Sequence, residues 1–519
     1  MRATHAQSAV QSVDYAPVPR VPLLAGSRLA VAQAPDDAVV LAPPPPRQAI
    51  ADVGAAVRDA LRFPLSGEPL EALVPRNGRA TIVVEPPALP LPAATFDPRR
   101  GAIAATVDEL ERFGVPTRQQ TILVAGGLAR RAGRRELESL VSPEFARRFH
   151  GQVVVHDAES EELVGLEAGG GREIRVNRAL VDADVVVAVT AAETVLHGGP
   201  GSLVAAADTG TCRVAGAYSL LETTASQGWE LGVAIERALA RRAPIVGASL
   251  VLTLPRFGGM LQGFPYEPES VERVMRSPLR ALFSLMPAPL RRRALRSIPA
   301  SRSISAAFAG PPSVAHAEAL LRGTEERARV LDEPLDALCL GVPYLTPYLP
   351  RERPNPLLAA YLALGIALRL WRDAFPVVDG GTAILVHPFD RSFPNPSQAP
   401  YRDFFRSVRG LTARNLAMVR EAELRAGVDE RALAAYRSGR AHHPVLPYAD
   451  WSSCGPALGR LGAVVVAGCR DHDAARALGF VPAMGIGAAL QMAHGRAGGP
   501  PRIGFLLAPP YFPLAVGSP

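Results

Sequence analysis

A repeated alternation runs through this chain of 519 residues, and it leaves few folds open. Segments with apolar residues at helical spacing alternate with short apolar runs of strand length, most of which end in glycine or proline. The stretch AIADVGAAVRDAL near Ile50 reads as a helix, and RATIVVEPP follows as a strand running into a proline turn. TVDELERFGV, QTILVAGG, RRELESLV, GQVVVHDA and ALVDADVVVAVT continue the pattern. Helices between such strands predict a largely parallel sheet covered on both faces, with ligand sites at the carboxyl ends of the strands. The turns that matter are then Glu85 to Pro87, Gly126 to Arg130, His156-Asp157 and His197 to Gly201.

The helical stretch SQGWELGVAIERALARRA leads into PIVGASLVLTLP, read as the start of a second α/β domain. Its later strands are LDALCLGVPY, GGTAILVHP, LGAVVVAG and RIGFLLAP, with helices such as LLAAYLALGIALRLWRDA between them. The expected fold is α/β, two domains with largely parallel sheets facing a central cleft. The expected boundaries are a loose, flexible Pro-rich arm at 1–48, a first domain at 49–242 and a second at 243–519. The arm carries no sustained period and ends in the run Pro43 to Pro46, a stiff extended spacer.

Charge narrows the chemistry. All 56 basic residues are arginine and none is lysine, so Schiff-base chemistry, a covalent lysine adduct and a tunable lysine base are excluded. A phosphate-binding loop of the Walker type is excluded with them. The formal net charge of +7 is spread along most of the chain and does not argue for nucleic acid. Cys212, Cys339, Cys454 and Cys469 are far apart, without zinc spacing, and read as reduced thiols. With no apolar run of about 18 residues, the expectation is a soluble, cytoplasmic protein. One segment departs from the alternation: from Arg273 to Ala317 there is no Asp or Glu, while Arg276, Arg280, Arg291, Arg292, Arg293, Arg296 and Arg302 accompany Leu279, Leu282, Phe283, Leu285 and Met286. Residues 273–317 are expected to form a basic amphipathic insertion, suited to an acidic protein or a membrane surface, or else a helical hairpin packed on its own domain.

The order of the strand-end motifs resembles the nickel-dependent lactate racemase family. The matching pieces are IVVEPPALP, ILVAGGLARR with Glu136 following, VVVHDA, VNRALVDADVVVAV, HGGPGS, PIVGASLVLTL, DGGTAILVHP and the stretch Arg476 to Ala483, over roughly residues 50–515. The resemblance implies a two-domain enzyme that holds a nickel pincer nucleotide and moves a hydride from and back to the Cα of a 2-hydroxy acid. Such chemistry needs a base for the hydroxyl, a cation for the carboxylate and a hydride acceptor.

The sequence departs from the family where those groups would stand. Glu85 takes the acidic position of the first turn, but the following arginine position reads Ala88 and the histidine position of the second turn reads Ala129. Gly201 or Ser202 occupies the place of the lysine that bonds to the nucleotide, so any nucleotide would be held noncovalently. VAGAYSLLETTA lacks the expected nickel-binding histidine, and Pro354 to Leu357 lack the family's lysine and glutamine. By this reading His197 is the catalytic and metal-facing residue, Glu85 and Arg130 bind substrate, and Gly126, Gly127, Gly198, Gly199, Gly201 and Ser202 line the cofactor. Asp157 is expected to cap a helix, Trp451 to be a core or lid aromatic, and His442, His443 and His472 receive no role. Two functions stay open: a racemase or epimerase of a 2-hydroxy acid with a degenerate site, or a noncatalytic binding or regulatory protein for a small anionic metabolite. Convergence of His197, Arg130 and Glu85 within about 10 Å is the geometric expectation.

Overall fold

The computed structural model describes residues 20–86, 97–167, 173–192, 197–215, 226–344, 353–393, 396–408 and 416–517. Two six-stranded sheets organise them. In the first, the strands run in the order Ile304–Gly310, Ile245–Leu252, Val185–Ala192, Ala80–Val84, Gln120–Val124, Gln152–Val155, and only Ile304–Gly310 is antiparallel to its neighbour. In the second, Val481–Ala483, Ala463–Ala467, Val377–Val386, Leu335–Gly341, Ile503–Leu506 and Val39–Leu41 are all parallel. The fold is therefore α/β with two largely parallel sheets.

Central strands such as Ala80–Val84, Val185–Ala192 and Ala463–Ala467 are buried at every position, which is why they read as continuous apolar runs. On one face of the first sheet, Ile82, Val84, Ile122 and Val187 pack against Val57, Leu61, Ile103 and Leu110 of the helices Val53–Arg62 and Arg100–Arg112. On the other, Val83, Leu123 and Val186 meet Leu203, Ile235 and Leu239. Helix Val53–Arg62 starts where Asp52 caps the Ala55 amide at 2.8 Å.

Three expectations about organisation are corrected. The run Ile245–Leu252 does not open the second domain: it pairs along its length with Val185–Ala192 and extends the first sheet. A strand buried on both faces carries no mark of which neighbour it will take. The segment at 20–48 is not a loose arm. Arg20–Ala25 and Arg28–Gln33 form an antiparallel hairpin whose Val21, Leu23, Ala25 and Ala32 are buried, and Val39–Leu41 adds an edge strand to the second sheet. Burial of those side chains offsets the entropy of ordering the segment. Nor is 273–317 one insertion, because Ile304–Gly310 belongs to the first sheet and Pro312–Arg327 packs on it.

What remains of the Arg-rich segment is three short helices, Pro268–Arg276, Pro278–Leu285 and Ala288–Arg296, each broken from the next by proline. Val271, Val274, Phe283 and Leu295 bury against the N-terminal hairpin and against Ala337, Ile384 and Phe505 of the second sheet. The opposite face of that sheet packs Leu338, Leu385 and Val466 against Phe404, Trp451 and Phe480. Ala192 and Val251 of the first sheet join the same cluster, so one core ties the sheets together. No helix among the described residues is long and apolar enough to cross a membrane.

Candidate functional site

Glu85 follows the buried strand Ala80–Val84, and His197 opens the glycine-rich turn downstream of Val185–Ala192. Because these strands are sheet neighbours, their carboxyl ends bring the two side chains together: His197 Nδ1 lies 3.4 Å from Glu85 Oε1. The carboxylate is buried, while 54% of the imidazole side chain is reachable by water. Burial alone would raise the Glu85 pKa, but His197, the charge of Arg99 and the Gly198 amide outweigh it and hold the carboxyl below its usual range. Desolvation likewise works against the imidazolium, and Glu85 overcomes it, so the His197 pKa is raised.

The backbone next to Glu85 is held by a buried ion pair. Asp97 and Arg99 form a buried fork, Nε to Oδ1 and Nη2 to Oδ2 both at 2.9 Å, and Arg99 Nη2 also donates to Pro86 O at 3.3 Å. Ala88, the position of the missing arginine, lies outside the described residues.

A second carboxylate, from the other domain, lies within electrostatic range of His197. Asp450 sits on helix Leu446–Ser453, buried, accepting a 2.6 Å bond from Tyr401 Oη. Desolvation pushes its pKa up to about 6, although Tyr401 and the nearby His442 and His197 pull the other way. His442 in turn takes the Arg130 amide on its Nδ1 at 2.9 Å. Two contacts are thus made, Glu85 with His197 and His442 with the backbone of Arg130, and Asp450 lies within electrostatic range of both histidines.

The Arg130 side chain is not aimed into the cleft as a clamp. Its Nη2 donates to Glu136 Oε1 at 2.6 Å, six residues on, and Nη1 to Arg131 O at 3.2 Å. The turn it belongs to is covered by the second domain. Tyr436 Oη donates to Gly127 O at 2.8 Å and accepts from the Ala158 amide at 3.2 Å. The His443 amide donates to Leu128 O at 3.0 Å, and its Nε2 lies 3.1 Å from Glu159 Oε1. Gly127 also donates to Ala205 O, and Gly126 accepts from Ala129.

The second glycine turn is shaped by a buried histidine. A Cβ at Gly199 would lie 2.3 Å from His316 Cβ, and one at Gly198 would lie 2.3 Å from His316 Cε1. Both glycines have positive φ, and Gly199 donates to Thr190 Oγ1 at 3.0 Å. Gly201 begins the short helix Gly201–Val204, and Ser202 is buried, its hydroxyl donating back to Gly199 O at 2.7 Å.

Two other strand-end residues are structural. His156 is buried with Nε2 2.9 Å from Ala207 O, and burial drives its pKa down to about 4. Asp157 caps no helix; it accepts from the Glu159 amide in a turn and faces Arg131 at 3.5 Å. Trp451 is in the core, as expected of a core or lid aromatic. Glu85 and His197 lie together at strand ends, whereas Asp450, Tyr401, Tyr436, His442 and His443 carry no role in the sequence pattern. The one signal for the last two was the adjacent His-His pair before Pro444.

Comparison with known proteins bears on one segment and on the fold. Residues 26–198 match the lactate racemase N-terminal domain. Over those residues the chain is similar to that domain. The lactate racemase apoprotein from Thermoanaerobacterium thermosaccharolyticum aligns over 95% of this chain and 99% of its own, with TM-score 0.58 and 14% identity, which shows a shared fold. A Thermotoga maritima protein aligns over 84% and 93% with TM-score 0.44 and 13% identity. No curated protein matches the sequence.

The residues present do not fit the nickel pincer nucleotide implied by this family. The chain has no lysine to bond it, and the positions that take the lysine's place, Gly201 and Ser202, are buried in a helical turn. The polar backbone of Gly127 and Leu128 is bonded to Tyr436 and His443. Gly198 and Gly199 lie against His316. Among the described residues no three His, Cys, Asp or Glu side chains form a group able to hold a metal, so the metal-facing role expected for His197 lacks partner ligands. The stretch 216–225, where the family's nickel-binding histidine would fall, lies outside the described residues.

Proposed function

We propose that this racemase-type chain binds a small anionic metabolite of the 2-hydroxy acid type at the Glu85, His197 and Asp450 cluster, without the nickel pincer nucleotide. One observation carries the reading. At the carboxyl ends of two neighbouring strands, a half-exposed imidazole of raised pKa touches a buried carboxylate of lowered pKa. The imidazolium supplies the positive charge that a ligand carboxylate needs, and Glu85 keeps that proton in place. Asp450, with its pKa near 6, exchanges a proton close to neutrality and is suited to a ligand hydroxyl. The chain's own residues thus bind, orient and hold a proton; they offer no acceptor for a hydride.

Calorimetric titration of the full chain with D- and L-2-hydroxy acids tests this. Saturable binding that His197→Gln weakens supports it, and no binding by any member of the panel overturns it. The competing reading is racemisation of a 2-hydroxy acid with a noncovalently held cofactor, supported by the match over 26–198 and by the placement of Glu85 and His197 at strand ends. Metal analysis and an absorption spectrum, after expression beside the enzymes that make the nickel cofactor, separate the two. Stoichiometric nickel with a visible band would replace the binding reading with the racemase one.

A further inference from the structure

The helices Pro278–Leu285 and Ala288–Arg296 turn one apolar face inward and leave a second in water. Phe283 and Leu295 are buried in the core that the N-terminal hairpin shares with the second sheet. Leu279, Leu282 and Leu285 recur every third residue and so share one side of the first helix. With Leu290 of the second helix they are 52–83% exposed. Apolar side chains clustered on a protein surface mark a contact with a partner or a bilayer.

These leucines are not exposed because the helices are loose. Buried Arg291 donates to Ser284 O at 3.3 Å and to Met286 O, which ties the second helix to the end of the first across Pro287. Arg296 contacts Tyr344 Oη, its guanidinium carbon 5.3 Å from the ring centre. Pro278–Leu285 also packs on the hairpin strand Arg28–Gln33. A packed inner face thus holds the outer one in water.

The charge around that outer face has one sign. From Arg273 to Ala317 there is no Asp or Glu. Arg293 is exposed and Arg292 half-buried, and neither pairs with an acid among the described residues. At the helical repeat, Arg293 falls on the side of Leu290 and away from buried Arg291 and Leu295. This combination selects the partner. A second copy meeting this face across a two-fold axis would set arginine against arginine. A partner helix would need a groove, whereas side chains more than half exposed project from the surface. An anionic bilayer offers phosphates to the guanidinium groups and an acyl boundary to the leucine tips, and it needs no shaped counterpart.

We propose that this face docks on an anionic lipid surface, with Leu279, Leu282, Leu285 and Leu290 at the acyl boundary and Arg292 and Arg293 on lipid phosphates. The contact lies in the plane of the interface. The two helices cover one face of the second sheet, and the helix that carries Asp450 packs on the other, so docking does not draw on the Glu85 and His197 cluster.

The test is sedimentation of the full chain at low ionic strength with vesicles of phosphatidylcholine alone and of phosphatidylcholine mixed with phosphatidylglycerol. The expected result is partition onto the phosphatidylglycerol vesicles that falls as salt is raised, weakened at least about tenfold in L282S/L285S and in R292Q/R293Q but unchanged in H197Q. Both double variants leave the buried face intact, which circular dichroism checks, and the arginine pair keeps the test decisive if the leucine pair fails to fold. No partition, equal partition onto neutral vesicles, or partition that neither pair of substitutions changes overturns the proposal. A dimer in lipid-free sedimentation velocity that L282S/L285S abolishes would overturn it in favour of a second copy of the chain. Saturable binding of polyglutamate by a chain that ignores the vesicles would overturn it in favour of an acidic protein.

Discussion

The first sheet ends in two glycine turns of the same general kind, and the chain has treated them oppositely. After Gln120–Val124, the turn Gly126 to Arg131 lies under the second domain, its carbonyls taken by Tyr436 and His443 and its Arg130 amide by His442. After Val185–Ala192, the turn at 197–202 is braced from below by His316, yet leaves the His197 imidazole half in water beside Glu85. The lesson concerns what a motif position is worth. A strand-end glycine turn offers backbone groups to whatever arrives first, and a domain packed over it uses them as fully as a ligand would. Only the turn whose side chain still reaches solvent keeps a chance at chemistry.

The sharpest way to break the contrast is at the braced turn. Gly199→Val puts a branched side chain into His316 at a positive φ, and its strain and overpacking should cost roughly 3 kcal/mol, read as a lower denaturation midpoint. Next is Asp450. A folded pKa raised from 3.8 to about 6 means that the group's contribution is intact below the lower value and lost as pH rises through the upper one. Asp450→Asn should therefore stabilise the protein by roughly 2–3 kcal/mol at pH 8 and by nothing near pH 3, as denaturation at the two pH values would show. A deficit at pH 8 would mean that the carboxylate is held by partners stronger than Tyr401.

At the covered turn, Tyr436→Phe strands the Gly127 carbonyl and the Ala158 amide, and should lower stability by about 2 kcal/mol without changing ligand affinity at His197. His197→Gln should act at the ligand: affinity for a 2-hydroxy acid down about tenfold, or 1.4 kcal/mol, by calorimetry, together with loss of the pair's own pH-dependent contribution to stability. The pair has a pH window. Glu85, depressed from 4.5, contributes above that value and loses it as pH falls through its folded pKa; His197, raised from 6.5, contributes below that value and loses it as pH rises through its own. The contribution is full between 4.5 and 6.5 and fades on either side. Smallest is Arg131→Gln: the side chain is partly exposed, donates to Arg437 O at 2.7 Å, and should cost less than about 1 kcal/mol.

These effects also mark where reading the sequence succeeds and stops. Strands buried on both faces announce themselves as apolar runs, and the rule of carboxyl ends then points to Glu85 and His197 before any coordinates. The same rule pointed to Arg130, but a local acid six residues on took its guanidinium. Asp450, His442 and Tyr436 were out of reach because the helices and connection that carry them fall between Val377–Val386 and Ala463–Ala467, hundreds of residues away, and nothing in their own spacing says which turn they will cover. The strand Val39–Leu41 was hidden for a related reason: three residues among prolines become a strand only when Ile503–Leu506 offers an edge.

That last strand has a consequence for how the molecule can be made and remade. A ribosome releases Val39–Leu41 long before its partner exists, and must deliver more than 450 further residues before the edge of the second sheet can close. The chain then leaves for the first sheet, returns through the hairpin-packed helices at 268–296, revisits the first sheet at Ile304–Gly310 and only then completes the second. No single genetic crossover can exchange one half of this protein for another. Each half carries threads of its neighbour, and the two must be inherited, and folded, together.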